Sequence, residues 1–202
     1  MRDLLSGGQA VQALKPVISG FTAAEFEDSD TAVLLDAVGL DATPENIDAM
    51  SPWRFEAPLS PDMAAARESR AIDFAKLVEF CRGRVDAFNG ITLVEGVGGV
   101  MVPLTERETV IDWIAALQIP AILVVGSYLG TLSHTLTAHG ALAARCVRIS
   151  GVVVSESEEN PVPVTETVET LARFLPDTPV HVLGRGADGF AVDGPPIDFG
   201  GT

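Results

Sequence analysis

The sequence predicts an α/β fold, one domain built on a parallel, doubly wound sheet with helices on both faces. Three observations carry this expectation. Apolar runs of strand length alternate along the chain with segments of helical periodicity. The run Ala121-Ile122-Leu123-Val124-Val125 has no polar interruption, the mark of a strand buried on both faces of a parallel sheet. The segment Leu93–Leu104 ends an apolar run in one carboxylate, Glu95, followed by the turn Gly96-Val97-Gly98-Gly99. A carboxylate at a strand's C-terminal end, followed by residues that let backbone approach a ligand, is how an open α/β sheet holds a metal-bound anion.

The elements follow in order. Val11 to Ile18 reads as a strand ended by Ser19-Gly20, with Lys15-Pro16 inside it, where proline fits an edge or a strand's end. Thr31 to Val38 reads as a short amphipathic helix closed by Gly39, with Asp28, Ser29 or Asp30 as its cap. Residues 51–62 hold three prolines and two aromatics, Trp53 and Phe55, and are expected to form an ordered loop bordering a binding site. Ile72 to Phe88 places Phe74, Leu77, Val78, Cys81, Val85 and Phe88 on one helical face. A strand at Ile91 to Val94 and a helix at Thr109 to Leu117 precede the buried run at 121–125. Beyond it come a helix from Gly130 to Ala144, a buried strand from Ile149 to Val154, a helix from Val164 to Phe174 and a short strand from Val180 to Leu183. The domain is expected to span 1–192, and the Gly/Pro-rich segment 193–202 to form a flexible tail.

Composition bounds the function. A chain of 202 residues with 47% apolar and 20% charged residues is globular and sized for one core. Its formal charge of −15 argues against nucleic acid and anionic membrane as partners, because both would repel it. A phosphate-bearing ligand would need local cations, a metal and backbone N–H groups. Cys81 and Cys146 lie in no metal or redox spacing and are expected to be reduced and buried or semi-buried. With no secretory signal core and no run of membrane-spanning length, a cytoplasmic location is expected. Ser127, Ser133 and His134 lack the aspartate and nucleophile elbow of a serine hydrolase.

Taken together, Ala13-Leu14-Lys15-Pro16-Val17-Ile18-Ser19-Gly20, Ser29-Asp30, Pro58-Leu59-Ser60-Pro61, Val94-Glu95-Gly96-Val97-Gly98-Gly99 with Val102-Pro103-Leu104, and Gly130-Thr131-Leu132-Ser133-His134-Thr135 resemble the dethiobiotin synthetase family in order and spacing. The likeness covers roughly residues 11 to 185. It implies a P-loop NTPase-like fold and an ATP- and Mg²⁺-dependent ligase of biotin biosynthesis. Such an enzyme closes a ureido ring on 7,8-diaminononanoate with CO2 and is typically a homodimer. By the resemblance Lys15 is the active-site lysine, beside a carbamate and the γ-phosphate, and Ser19 contacts substrate. Asp30 and Glu95 match the Mg²⁺ carboxylates, while Gly96, Val97 and Gly98 match backbone lying along substrate and nucleotide. Pro58, Leu59 and Ser60 border the substrate pocket.

The chain departs from the family in three places. Asp62 stands where many members have histidine. At the end of the strand 149–154 many members have an asparagine that reads adenine; here Ser155 and Glu156 take that nucleotide position, and a hydroxyl cannot make an amide's paired contact. Family members also open with a strand, a G-x-x-x-x-G-K-[ST]-like loop and a helix, whereas only Met1 to Gln9 precedes the Lys-Pro strand here. The simplest expectation makes Met1 an internal methionine or a misplaced start, with Asp3 to Ala10 the tail of that helix. A relative that has lost this loop and serves assembly or regulation is the alternative; intact Lys15, Asp30 and Glu95 favour the ligase.

Overall fold

A computed structural model of the chain describes residues 1–187 and residue 197. The tail expected over 193–202 lies, but for residue 197, outside the described residues. The chain divides into two compact units, Met1–Leu117 and the residues from Gln118 onward. All strand ladders in both are parallel, with helices interleaved between strands, as the alternation of patterns requires.

In the first unit, helix α1 (Arg2–Ser6) leads into β1 (Val11–Leu14) and β2 (Val17–Ser19). The single strand expected over 11–18 is thus two strands, broken at Lys15-Pro16. Pro16 has no N–H to give a ladder, and the chain uses the break to change partners. The Lys15 N–H donates to the Met50 carbonyl at 3.1 Å, and the Pro16 carbonyl accepts from the Trp53 N–H at 3.0 Å. A 3-10 segment, Ala23–Asp28, precedes α2 (Asp30–Ala37) and α3 (Pro44–Met50). Next come β3 (Trp53–Phe55), α4 (Pro61–Arg67), α5 (Phe74–Ala87), β4 (Ile91–Val94) and α6 (Val110–Leu117).

Here β1 pairs with β4 and β2 with β3. The loop expected over 51–62 therefore holds a three-residue strand, and α4 begins at its Pro61, a residue suited to a first helical turn. Ala13, Leu35 and Met50 form a buried cluster on which Phe26, Leu34, Val38 and Ile47 pack. The 72–88 periodicity becomes α5, capped by the Asp73 side chain and burying Leu77 and Cys81.

The second unit is β5 (Ala121–Gly126), α7 (Thr131–Ala144), β6 (Ile149–Ser155), α8 (Val164–Phe174) and β7 (Val180–Leu183), with sheet order β5-β6-β7. Central β6 is buried from Ser150 to Val154, and Val152, Val154, Leu171 and Leu175 form the core. Strand β5 departs from expectation. It is a sheet edge and only half-buried, and Val124 is 63% exposed. Cys146 is exposed, against expectation, whereas burial pushes the Cys81 thiol up to about 12. No helix among the described residues is long and apolar enough to cross a membrane.

Candidate functional site

The site of the first unit lies at the C-terminal ends of β1 and β4, where open parallel sheets place ligands. The β1–β4 register pairs Leu14 with Val94, and the Glu95 N–H donates to the Leu14 carbonyl at 2.8 Å. Register alone therefore brings Lys15 level with Glu95, one residue beyond each strand. The Lys15 ammonium donates to Glu95 Oε1 at 2.6 Å, to the Gly96 carbonyl at 2.8 Å, and meets Asp30 Oδ2 at 2.9 Å.

Asp30 reaches this cluster because it does not cap its helix. The N-cap of α2 is Ser29, whose hydroxyl accepts from the Ala32 N–H at 3.2 Å, leaving the Asp30 carboxylate at the first helical position for Lys15. The helix start is fixed by a buried hydrogen bond, 2.8 Å, between the hydroxyls of Thr31 and Ser51. Sequence reading missed both residues. Nothing in their spacing announces the pair, since it depends on α3 bringing residue 51 beside α2.

Burial is uneven across the cluster. The Lys15 side chain is 5% exposed, that of Asp30 55% and that of Glu95 48%. The ammonium is thus enclosed, while the carboxylates keep surface for a ligand. Two carboxylates against one ammonium leave a net negative charge, which suits a hard divalent cation that draws its remaining ligands from water and phosphate oxygens. Among the described residues no three His, Cys, Asp or Glu side chains gather as a self-sufficient metal cage.

The glycine turn is braced from behind. The Val110 N–H donates to the Val102 carbonyl at 2.9 Å and the Ile111 N–H to the Val100 carbonyl at 2.7 Å, so the first turn of α6 holds the loop that follows Glu95. Val97 is buried, and Gly98 has φ +63°, with Val102 Cγ2 only 2.8 Å from where a Cβ would stand. Both the left-handed backbone and the close approach require glycine there.

Ser19 and Asp30 line one shallow cavity of about 300 Å³ with Ile18, Gly20, Glu25, Asp28 and Ser29. Glu25 was not singled out from the sequence, and Asp28 only as a candidate helix cap. The 58–60 segment lies beside it: the Gly20 N–H donates to the Ala57 carbonyl at 3.2 Å, and a Cβ on Gly20 would be 3.3 Å from Pro58 Cβ. Ser60 Oγ and Asp62 Oδ1 are buried atoms with no hydrogen-bond partner among the described residues. Buried polar atoms of this kind ordinarily find a partner, and a ligand's N–H or O–H groups would supply one. A larger cavity, about 410 Å³, lies at the opposite end of β1 around Val11, Gln12 and Arg84, away from the C-terminal strand ends.

Ser155 and Glu156 belong to the second unit. Ser155 ends β6 between Gly126 of β5 and Leu183 of β7. The Glu156 carboxylate accepts from the Arg185 N–H at 3.0 Å. An amide does stand on this loop, at Asn160. Its Oδ1 accepts from the Ser127 hydroxyl and its Nδ2 donates to the Ser157 carbonyl at 2.9 Å. The N–H of Ser157 donates to Ser127 Oγ at 2.8 Å, closing the network.

Known proteins similar to this chain share one description. The sequence profile of a family described as AAA domain matches residues 1–185. A protein of Acidiphilium cryptum named ATP-dependent dethiobiotin synthetase BioD is 50% identical over 184 residues, covering 91% of this chain and 82% of its own length. One of the same name from Methylobacterium nodulans is 46% identical, covering 96% and 87%. Another from a Caulobacter species is 41% identical, covering 100% and 90%.

Proposed function

The chain belongs to the dethiobiotin synthetase family, and from that premise we propose that it is the ATP-dependent ligase that makes dethiobiotin from 7,8-diaminononanoate and CO2. The observation that carries this reading is the Lys15 ammonium set 2.6 Å from Glu95 and 2.9 Å from Asp30 at the C-terminal end of a parallel ladder. In this reaction one substrate amine adds to CO2 and loses a proton, giving a carbamate. A carbamate oxygen takes the γ-phosphoryl group of ATP, releasing ADP. The second amine then attacks the mixed anhydride carbon, phosphate leaves, and the ureido ring closes.

Negative charge enters at the carbamate and grows during phosphoryl transfer, so the protein's main tasks are positioning and charge neutralisation. Lys15 supplies the cation nearest the reacting oxygens. Asp30 and Glu95 fit Mg²⁺ by the chemistry of their donors, and that ion, when bound, neutralises phosphate charge. Backbone at Gly96, Val97 and Gly98 lies along substrate and nucleotide. Ser19 and the Pro58, Leu59 and Ser60 edge hold the diamine, and the orphaned Ser60 Oγ and Asp62 Oδ1 accept its N–H groups. Ser155 and Glu156 border the nucleotide base. In this reading residues 1–192 work as one domain, as a cytoplasmic homodimer.

The test is ATP turnover with and without the diamine, at saturating Mg²⁺ and bicarbonate, with products identified by mass. Phosphate release that depends on the diamine, together with dethiobiotin, is the expected result. Hydrolysis indifferent to the diamine, or nucleotide binding with no product, overturns the proposal.

A further inference from the structure

We propose that Lys15 is the resting counter-ion of the cation site, and that a divalent cation displaces its ammonium from Asp30 and Glu95. This rests on the reading of those two carboxylates as metal ligands. An ammonium has three N–H donors. Two of them donate to Glu95 Oε1 and the Gly96 carbonyl, the ammonium makes an ion pair with Asp30 Oδ2 at 2.9 Å, and the side chain is 5% exposed. In this arrangement the enclosed ammonium's charge is held by the two carboxylates rather than offered to a carbamate or phosphate oxygen. The lysine that neutralises the substrate must first leave these acceptors.

The movement is small in chain terms. The Lys15 backbone is fixed by its N–H to Met50 and by Pro16, so only the flexible four-carbon stem moves. The carboxylates are its strongest partners, and a hard dication competes for the same oxygens with twice the charge. Cation arrival and lysine release are then one exchange, which frees a positive charge at the moment the triphosphate brings negative charge in. By linkage, whatever favours the cation weakens the lysine's hold on the carboxylates, and removing the lysine strengthens the cation's hold. The half-exposed faces of Asp30 and Glu95 offer the contrary arrangement, in which a cation binds their outer oxygens and Lys15 stays in place.

The chain has only two lysines, which makes the exchange directly observable. Lys76 is 73% exposed and 3.4 Å from Asp73, so its ammonium protons exchange rapidly with water. In the full chain labelled with 15N-lysine, one protected ammonium resonance, from Lys15, is expected without metal. Titration with Mg²⁺ alone, its binding followed in parallel by calorimetry, is expected to abolish or shift that resonance out of the protected state. Electron paramagnetic resonance of free Mn²⁺ is expected to show about tenfold or tighter binding to Lys15→Met than to the unaltered chain.

A Lys15 resonance unchanged while Mg²⁺ saturates the protein overturns the exchange and leaves the metal reading standing. Equal Mn²⁺ affinity of the two chains does the same. No binding of Mg²⁺ or Mn²⁺ to either chain overturns the metal reading, and the exchange with it. The resonance experiment uses the unaltered protein and decides the question even where Lys15→Met fails to fold.

Discussion

Substituting Glu95→Gln separates the chemical role of this carboxylate from its structural one. Gln keeps the shape and can still accept from Lys15 through its amide oxygen, while Lys15 retains Asp30 at 2.9 Å and the Gly96 carbonyl at 2.8 Å. What is lost is the charge assistance of one hydrogen bond. Bonds to charged groups contribute about 1.5–3 kcal/mol and neutral ones about 0.5–1.5, so the difference is about 1 kcal/mol. Two features hold it at or below that figure. The Glu95 side chain is 48% exposed and therefore screened, and neutralising it removes its repulsion of Asp30. Urea unfolding is thus expected to show a loss of about 1 kcal/mol or less. Diamine-dependent phosphate release, by contrast, is expected to fall by about a hundredfold or more, the scale seen when one charge-stabilising group at a reacting centre is removed. Activity within about threefold of the unaltered chain would refute the assignment of Glu95 to the chemistry. A stability loss above about 3 kcal/mol would show instead that the ion pair is a buried structural bridge.

Two further outcomes follow from particular backbone and burial features. Gly98→Ala forces a side chain onto φ +63° and into Val102, so a loss of about 1–2 kcal/mol is expected in urea unfolding, together with reduced phosphate release; an unchanged midpoint would refute the claim that the turn demands glycine. Burial holds the imidazoles of His139 and His181 below their usual range, so as the pH falls below about 6.5 the unfolded chain takes up protons first and stability declines toward the lower folded values. Glu68 and Asp73 are also lowered, chiefly by the N–H groups of Glu56 and Lys76, but their contribution is lost only in the more acidic carboxylate range. Unfolding midpoints compared between pH 7 and about 5.5 should therefore fall, and fall less in a His139→Gln/His181→Gln variant; equal slopes would refute the histidine origin.

What the sequence made legible was whatever local pattern determines. The amphipathic period at 72–88, the buried run at 149–154 and the apolar stripe at 164–174 each became the expected element, because each pattern is set by neighbours three, four or two residues away. The errors concern partners distant in sequence. Lys15-Pro16 breaks the strand because Met50 and Trp53 take over its hydrogen bonds, and the stretch 51–62 yields β3 because β2 offers it an edge. The run 121–125 looks fully buried by composition, yet burial depends on what covers a strand, and as an edge strand β5 leaves Val124 open. The site was legible in its residue types. Its geometry was not, because the choice among Asp28, Ser29 and Asp30 as cap turns on which hydroxyl or carboxylate the rest of the fold calls away.

That choice links the fold to the chemistry. Had Asp30 capped α2, its carboxylate would be satisfied by backbone N–H groups, and Lys15 would face Glu95 alone. With Ser29 as cap, the helix end is satisfied by a neutral hydroxyl and a carboxylate is left for the ammonium. Three local events then converge on one point: a proline that ends β1 at Lys15, a serine that releases Asp30, and a parallel register that sets Glu95 level with Lys15. None is unusual alone, and each can be perturbed without the others. Ser29→Ala tests the link most directly, because it removes a cap of about 1 kcal/mol and invites Asp30 back toward the helix N–H groups it now leaves to serine. If that substitution weakens Mn²⁺ binding by more than the fraction of unfolded protein explains, the cap is part of the site. If it lowers stability alone, Asp30 is held in place by Lys15 and needs no help from the helix.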